Sequence, residues 1–321
     1  GLWHLHLERA DGSLYSVRAR VLVNAAGPWV ARLFEEVLKQ PSPCPLRLVQ
    51  GSHLLVPRLY PGDEAYILQN EDRRIVFVIP YLQHFSLIGT TDRDFQGDPA
   101  RVWISEEEID YLLQVVNAHF RKQTSRADIR HSFSGVRPLG DEQTGDPAAL
   151  SRDYRLVLDA AGEAPLLSVF GGKLTTYRKL AEAALELLAP SFPGLRPAWT
   201  AQTPLPGGEQ LEDPRQLAES LCQRHPWLPA ELALRWAQAY GSRCWRLLEG
   251  VGREEDLGEH LGGGLYAREV DYLCHEEWAR EAEDILWRRS KLGLFLDAEQ
   301  QARLRRYLAG ERAQRARLRI V

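Results

Sequence analysis

Apolar and polar positions change period several times along the chain, and each change marks an element. In residues 1–24, "LWHLHLE" alternates strictly, a D-G turn follows, and "GSLYSVRARVLVN" alternates again. That pattern predicts a hairpin running into a short buried strand. The strand closes "VLVNAAGPWV" (21–30) on small residues, and a helix is predicted over 28–39 with Pro28 in its first turn. Four short, turn-bounded runs rich in Ile, Val, Leu and Phe come next, at 52–58, 64–70, 74–81 and 85–92. They predict an antiparallel sheet. "ISEEEIDYLLQVVNAHF" (104–120) carries Ile109, Leu112, Leu113, Val116 and Phe120 on one helical face, with Ser105 and Glu108 spaced as a capping box. Beyond it lie an extended run at 129–139, a Gly/Asp-rich loop at 140–148 and a hairpin at 154–172 whose second arm is wholly apolar. A helix is predicted from Leu174. The proline-rich stretch 189–199 reads as a linker, and everything beyond about 200 as helical, which puts a domain boundary near 198–208.

Length and charge narrow the function classes. A chain of 321 residues has room for two domains with real cores. A net charge of −4 excludes a nucleic-acid footprint over the whole surface. Cys44, Cys222, Cys244 and Cys274 form no C-x-x-C pair, which argues against a structural zinc or a disulfide framework and suits a reducing compartment. No apolar run reaches the roughly 18–20 residues of a membrane span, although a surface helix needs no such run. The first residue is glycine and the chain opens inside a strand, so a longer parent chain is expected. No G-x-G-x-x-G follows a strand, and the glycines at 262–264 sit among helical segments. A complete dinucleotide site is therefore not expected from these residues alone.

Several stretches carry candidate chemistry, each with a plainer alternative. In "SVFGGKLTTYR" (168–178) a buried strand, a Gly-Gly turn and a helix start leave backbone N–H groups for an anion, beside Lys173 and the hydroxyls of Thr175 and Thr176. A tight turn with a helix cap explains the same residues. In "SGVRPL" (134–139), Arg137 sits among small and rigid neighbours as a fork for phosphate or carboxylate, or as half of a surface ion pair. Arg74 opens an apolar strand, pointing inward or marking its edge. Among nine histidines, His53 in "QGSHLLVP" is the best acid–base candidate; the alternative is a satisfied polar residue. His4 and His6 alternate on a strand with no third ligand near, so no metal site is expected, and His225 reads as loop. Basic residues beside tryptophans in the tail, Arg288, Arg289 and Lys291 among them, suit an anionic membrane or the solvated edge of a core face.

Taken together, "VLVNAAGPWV", "GSHLLVPR", "ILQNEDRRIVFVIPY", "LIGTTDRDFQGDP", "SGVRPL" and "LLSVFGGKLTTYRKLAE" resemble successive signatures of the aerobic, FAD-dependent glycerol-3-phosphate dehydrogenases, and "DLGEHLGGGLYAREVDYLCHEEWAREAEDILWRRSKLGL" (256–294) resembles their helical tail. The resemblance spans nearly the whole chain but lacks the family's N-terminal segment with the pyrophosphate turn. It implies a mixed α+β and α/β fold. A partial FAD-binding, glutathione-reductase-like domain would fill 1–198 and carry an antiparallel substrate-capping sheet at about 45–140, and an all-α C-terminal domain would fill 199–321. It also implies that Gly171, Gly172, Leu174, Thr175 and Thr176 flank FAD, with Ala25, Ala26 and Gly27 on its other side. Lys173 and Arg137 would hold the substrate, and Arg74 and His53 would face it from the sheet. The implied reaction oxidises sn-glycerol 3-phosphate to dihydroxyacetone phosphate and passes electrons to a quinone. The enzyme would be a homodimer bound peripherally to the cytoplasmic face of the inner membrane, and this chain alone would be inactive and poor in flavin. An oxidase using oxygen, a flavin amino-acid oxidase, and a dimerisation or membrane-docking module in the helical part are the alternatives.

Overall fold

The computed structural model describes residues 1–9, 11–140, 153–162 and 164–318. They form two compact units, Gly1–Ala198 and Trp199–Val321. The first unit opens on an antiparallel hairpin of β1 (Trp3–Glu8) and β2 (Leu14–Ala19). Its turn is fixed by Ser13 N–H donating to Asp11 Oδ1 at 2.9 Å, and Trp3 Nε1 ties the hairpin to Pro165 O at 2.8 Å. β3 (Leu22–Asn24) is the short strand expected before the small residues. A single-turn 3-10 segment, the short α1 (Val30–Arg32) and a wide π turn then carry the chain helically to Leu38.

The main sheet uses β4 (Leu46–Pro57), β5 (Tyr66–Gln69), β6 (Ile75–Tyr81), β7 (Phe85–Gly89), β8 (Arg93–Asp94) and β9 (His131–Gly140). The strand order is β5-β6-β7-β4-β8, and β9 also pairs with β4, antiparallel. β4 begins six residues before the run predicted at 52–58. Its first half, "LRLVQG", finds partners in β8 and the second half of β9, so long-range pairing extends it.

α2 (Glu106–His119) covers one face of this sheet. Both bonds of its capping box form: Ser105 Oγ accepts from Glu108 N–H at 3.2 Å, and Ser105 N–H donates to Glu108 Oε2 at 2.9 Å. Leu112, Leu113, Val115 and Val116 pack on Leu54, Val56, Val76, Val78 and Ile88. Each such burial contributes roughly 1.5–3 kcal/mol. Because side chains alternate across a strand, placing Leu54 and Val56 under α2 turns Gly51 and His53 to the opposite face. That face is not covered by α2; Ile67, Ile75, Phe77, Ile79 and Phe133 are exposed.

A second sheet has the order β10-β11-β3, with β10 (Tyr154–Asp159) and β11 (Leu166–Gly171) antiparallel and β11 parallel to β3. The loop read at 140–148 falls, from 141 on, outside the described residues. β11 leads through a 3-10 turn at Leu174–Thr176 into α3 (Tyr177–Leu188).

The second unit contains α4 (Pro214–Arg224), α5 (Ala230–Tyr240), α6 (Cys244–Leu247), α7 (Ala267–Glu276) and α8 (Ala298–Leu318). It departs from the helical reading at one hairpin, β12 (His260–Gly262) and β13 (Leu265–Tyr266). Gly262, Gly263 and Gly264 turn it with φ of 114°, 56° and 73°, a run of positive angles that side-chain-bearing residues rarely adopt. Buried Glu269 accepts from both Arg235 Nη atoms at 2.6 Å and from Trp236 Nε1 at 3.0 Å, and Tyr240 OH also donates to it. The tail's basic residues are engaged locally. Arg288 pairs with Asp284 at 3.0 Å, Arg289 Nε donates to Glu277 O at 3.0 Å, and Lys291 Nζ bonds the carbonyls of Trp287 and Arg288. No helix among the described residues is long and apolar enough to cross a membrane.

Candidate functional site

Three strands place the site on the open face of the main sheet. In β4, Gly51 pairs with Gly135 and His53 with Phe133 of β9, while His53 also pairs with Gly89 of β7. Arg137 pairs with Val49, so it shares the face of Gly51 and His53. Its guanidinium is held at two points: Nη1 donates to Asp92 Oδ1, and Nη2 donates to Thr90 Oγ1 at 3.0 Å. Pairing with Asp92 fixes the plane of the fork but leaves it partly exposed, at 31% of its side-chain surface.

The His53 ring stacks on Phe133, with centroids 4.9 Å apart and planes 8° from parallel. On its other side a Cβ at Gly89 would stand 2.2 Å from His53 Cδ2, so only glycine admits the imidazole there. At Gly51 a Cβ would come within 2.4 Å of Arg137 Nη2, so glycine leaves the guanidinium its present position. Burial, and after it the Arg137 charge, pushes the His53 pKa below its ordinary 6.5. The ring is thereby kept neutral and able to accept a proton. Its Nδ1 is buried without a hydrogen-bond partner.

The two glycine-bearing turns converge by topology. β3 and β11 are adjacent and parallel, so Ala25–Gly27 and Gly171–Lys173 leave from the same, carboxyl end of the sheet, where open α/β sheets take their ligands. Gly171 and Gly172 have φ of 70° and 104°. A Cβ on Gly171 would stand 3.0 Å from Asp153 O and 3.5 Å from Pro138 O, so this turn starts against the residue next to Arg137. Lys173, Leu174 and Thr175 are exposed, Leu174 at 88%. The Lys173 carbonyl accepts from Thr176 N–H at 3.0 Å and Thr176 Oγ1 at 2.9 Å, which closes the turn.

Of the residues expected from sequence, His53 and Arg137 share one face, and the Gly171–Gly172 turn packs beside β9. Arg74 is elsewhere. It lies on the α2 side of the sheet, its Cζ 4.6 Å from the centre of the Tyr111 ring and its Nε 3.0 Å from Asp72. It precedes the alternation that buries Val76 and Val78, so parity sends it away from His53. Sequence reading missed Thr90, Asp92 and Phe133. For Thr90 and Asp92 the only local signal was the polar triplet closing an apolar strand, and Phe133 had none. Among the described residues no group of three or more His, Cys, Asp or Glu side chains could hold a metal ion. His4 and His6 are exposed on β1, and His6 Nδ1 is 3.0 Å from Ser16 Oγ.

The residues fit the ring end of a flavin. Cβ atoms at Gly27 and Gly135 would stand in open space, leaving bare backbone for a flat ligand, and the orphaned His53 Nδ1 lies in the same face as Gly135. Comparisons with known proteins point to the same cofactor. The family described as "FAD dependent oxidoreductase" matches residues 1–178, and "C-terminal domain of alpha-glycerophosphate oxidase" matches 198–309. The glycerol-3-phosphate dehydrogenase of Pseudomonas aeruginosa is 68% identical over 319 residues, covering 99% of this chain and 62% of that protein. The aerobic glycerol-3-phosphate dehydrogenase of Escherichia coli is 52% identical over 320 residues, covering 99% and 64%. The solved glycerol-3-phosphate dehydrogenase from Bacillus halodurans, complexed with FAD, superposes with a TM-score of 0.78 at 27% identity, over 96% of this chain and 61% of that one. The chain thus spans somewhat under two thirds of the length of these relatives. With a match over more than half of its residues, this chain belongs to the FAD dependent oxidoreductase family.

Proposed function

We propose that the whole protein oxidises sn-glycerol 3-phosphate to dihydroxyacetone phosphate. The observation that carries this reading is the Arg137 fork, pinned by Asp92 and Thr90 on the same open face as a neutral, buried-edge histidine. A phosphate dianion suits a planar guanidinium fixed in advance, and Lys173, exposed beyond the Gly171–Gly172 turn, adds a second cation. FAD, when bound, supplies the acceptor for the hydride lost from C2 of the substrate. Gly171, Gly172, Leu174, Thr175 and Thr176 would hold its ring end from one side, and Ala25, Ala26 and Gly27 from the other. His53 takes the C2 hydroxyl proton at Nε2, the ring nitrogen next to Gly89, because its Nδ1 is buried. Phe133 and Gly89 clamp the imidazole so that it meets the hydroxyl in one orientation. No G-x-G-x-x-G turn follows a strand in these 321 residues, so on their own they are expected to bind FAD weakly and not to turn over.

Quinone as electron acceptor, peripheral attachment to the cytoplasmic face of the inner membrane and a homodimer complete the reading, as the sequence motifs' resemblance to the aerobic dehydrogenases implies. The match of 198–309 to a domain named for an oxidase supports oxygen as the alternative acceptor. The test is anaerobic mixing of the full-length protein with sn-glycerol 3-phosphate while oxidised-flavin absorbance is followed, with lactate and an amino acid as controls. Bleaching by glycerol 3-phosphate alone is expected; bound flavin that stays oxidised overturns the substrate. Reoxidation by quinone without peroxide is expected, and stoichiometric peroxide in air points to the oxidase.

A further inference from the structure

Glu108 does more than its capping box needs. A capping glutamate ordinarily faces water, but this one is 6% exposed and lies against the sheet. Its Oε1 accepts from Ser52 Oγ at 2.8 Å and from Thr91 Oγ1, and its Oε2 accepts from Gln50 Nε2 and Ser105 N–H, both at 2.9 Å. All four donors are neutral, and three of them are side chains of the sheet or of the segment that follows β7. The cap supplies only one of these four donors, so the helix N-terminus by itself does not account for a buried carboxyl tied to Gln50, Ser52 and Thr91.

Thr91 links this cluster to the open face. Its Oγ1 donates to Glu108 and accepts from Ser52 N–H at 3.0 Å, on the α2 side of the sheet. Its neighbours on either side, Thr90 and Asp92, point to the other side and hold Arg137. Thr90–Thr91–Asp92 is therefore a strap through the sheet, fastened behind by Glu108 and gripping the guanidinium in front. A second fastening runs through Ser52 Oγ, 2.9 Å from Ser134 Oγ on β9, the strand that carries Arg137.

We infer that Glu108 is a positioning residue that sets the aim of the Arg137 guanidinium through Thr91. The inference rests on the reading of Arg137 as the phosphate-binding group. Glu108→Gln keeps the volume but turns an amide N–H₂ toward donors. Thr91→Val keeps the shape and removes the hydroxyl, while Thr91→Ser retains it.

The test uses full-length, flavin-loaded protein, titrated with dihydroxyacetone phosphate by calorimetry and reduced by sn-glycerol 3-phosphate in rapid mixing. Thr91→Val and Glu108→Gln are each expected to weaken binding and raise KM at least fivefold with a smaller change in kcat, and Thr91→Ser to stay within twofold of wild type. In an Arg137→Ala background, Thr91→Val is expected to cost nothing further in kcat/KM, because the group it positions is gone. Thr91→Val binding within twofold of wild type, or full additivity with Arg137→Ala, overturns the inference while the substrate assignment stands. Wild-type protein that neither binds dihydroxyacetone phosphate nor is reduced by glycerol 3-phosphate overturns both. Should Glu108→Gln fail to fold, Thr91→Val and Thr91→Ser decide alone.

Discussion

Replacing Gly51 by alanine tests the site with one carbon atom. The new Cβ would stand 2.4 Å from Arg137 Nη2, 2.8 Å from Cζ and 2.6 Å from Thr90 Oγ1. Comfortable contact is near 3.5 Å, so the guanidinium must retreat by about 1 Å. That movement breaks the 3.0 Å bond from Nη2 to Thr90 and shifts the fork away from the position Asp92 fixes. The cost to stability is small. Gly51 lies in a regular strand that alanine adopts, which favours the variant by roughly 0.4–1 kcal/mol through the unfolded chain. Overpacking costs about 1–3 kcal/mol, toward the low end here because the far tip of a half-exposed arginine can swing aside. The melting temperature of the full-length protein should fall by no more than a few degrees. Substrate binding should suffer more: losing one hydrogen bond to a charged group costs about 1.5–3 kcal/mol, which is roughly a 10–100-fold rise in KM. Steady-state kinetics with sn-glycerol 3-phosphate, beside a melting curve and the flavin-to-protein ratio, check it. A folded, flavin-loaded variant whose KM lies within twofold of wild type refutes the placement of Arg137 on the substrate.

Further expectations follow from the same geometry. The His53 pKa is lowered in the folded state, so its contribution to stability is complete above the unfolded value of 6.5 and is lost as pH falls through the folded value. Melting temperatures from pH 8 to 5 should therefore fall less steeply in His53→Gln than in wild type, and equal slopes would show that the ring is not buried neutral. Glu269→Ala leaves the partly buried Arg235 and the buried Trp236 Nε1 and Tyr240 OH without their shared acceptor and should destabilise the second unit by about 3–5 kcal/mol in urea unfolding. Arg246→Ala breaks only an exposed pair with Glu276, and a loss above about 1 kcal/mol there would contradict the burial argument. Gly171→Ala forces a side chain into φ of +70° against Asp153 O, so full-length protein should purify with a lower flavin-to-protein absorbance ratio; a full complement of flavin would mean that the turn is not at the cofactor.

Local pattern carried most of the elements because their signals are local. The alternation in "LWHLHLE" is β1, the Ser105–Glu108 spacing is the N-terminus of α2, and the apolar arm at 166–171 is β11. What the pattern left out depends on distant partners. The first half of β4 carries Arg47 and Gln50 and does not read as a strand by itself; it is one because β8 and β9 supply hydrogen bonds from some 45–90 residues away along the chain. The β12–β13 hairpin hides in a helical neighbourhood, since three successive glycines signal a turn without saying that two residues on each side will pair.

The site shows the same division, with one further step. His53 and Arg137 stood out because each is a polar residue among apolar or rigid neighbours, and Gly171–Gly172 because a Gly-Gly turn between strand and helix leaves backbone N–H groups free, although a plain helix cap accounts for the same pattern. Arg74 looked equivalent in one dimension. Whether it faced His53 depended on strand parity relative to α2, and that is settled only when Val76 and Val78 are known to be the buried pair. Glu108 was legible as a cap and nothing more, because its other three donors come from positions 50, 52 and 91. A capping box accounts for one of its carboxyl oxygens, and the second oxygen is the one that reaches Ser52 and Thr91. The local motif thus explains why a glutamate is at 108, and only the strand pairing of Ser52 with Ser134 and the strap at 90–92 explain why this glutamate is buried behind the arginine. An alternative capping residue that satisfied Ser105 N–H alone would preserve the helix and lose the strap, which is why helix content and substrate affinity should separate in variants at 108.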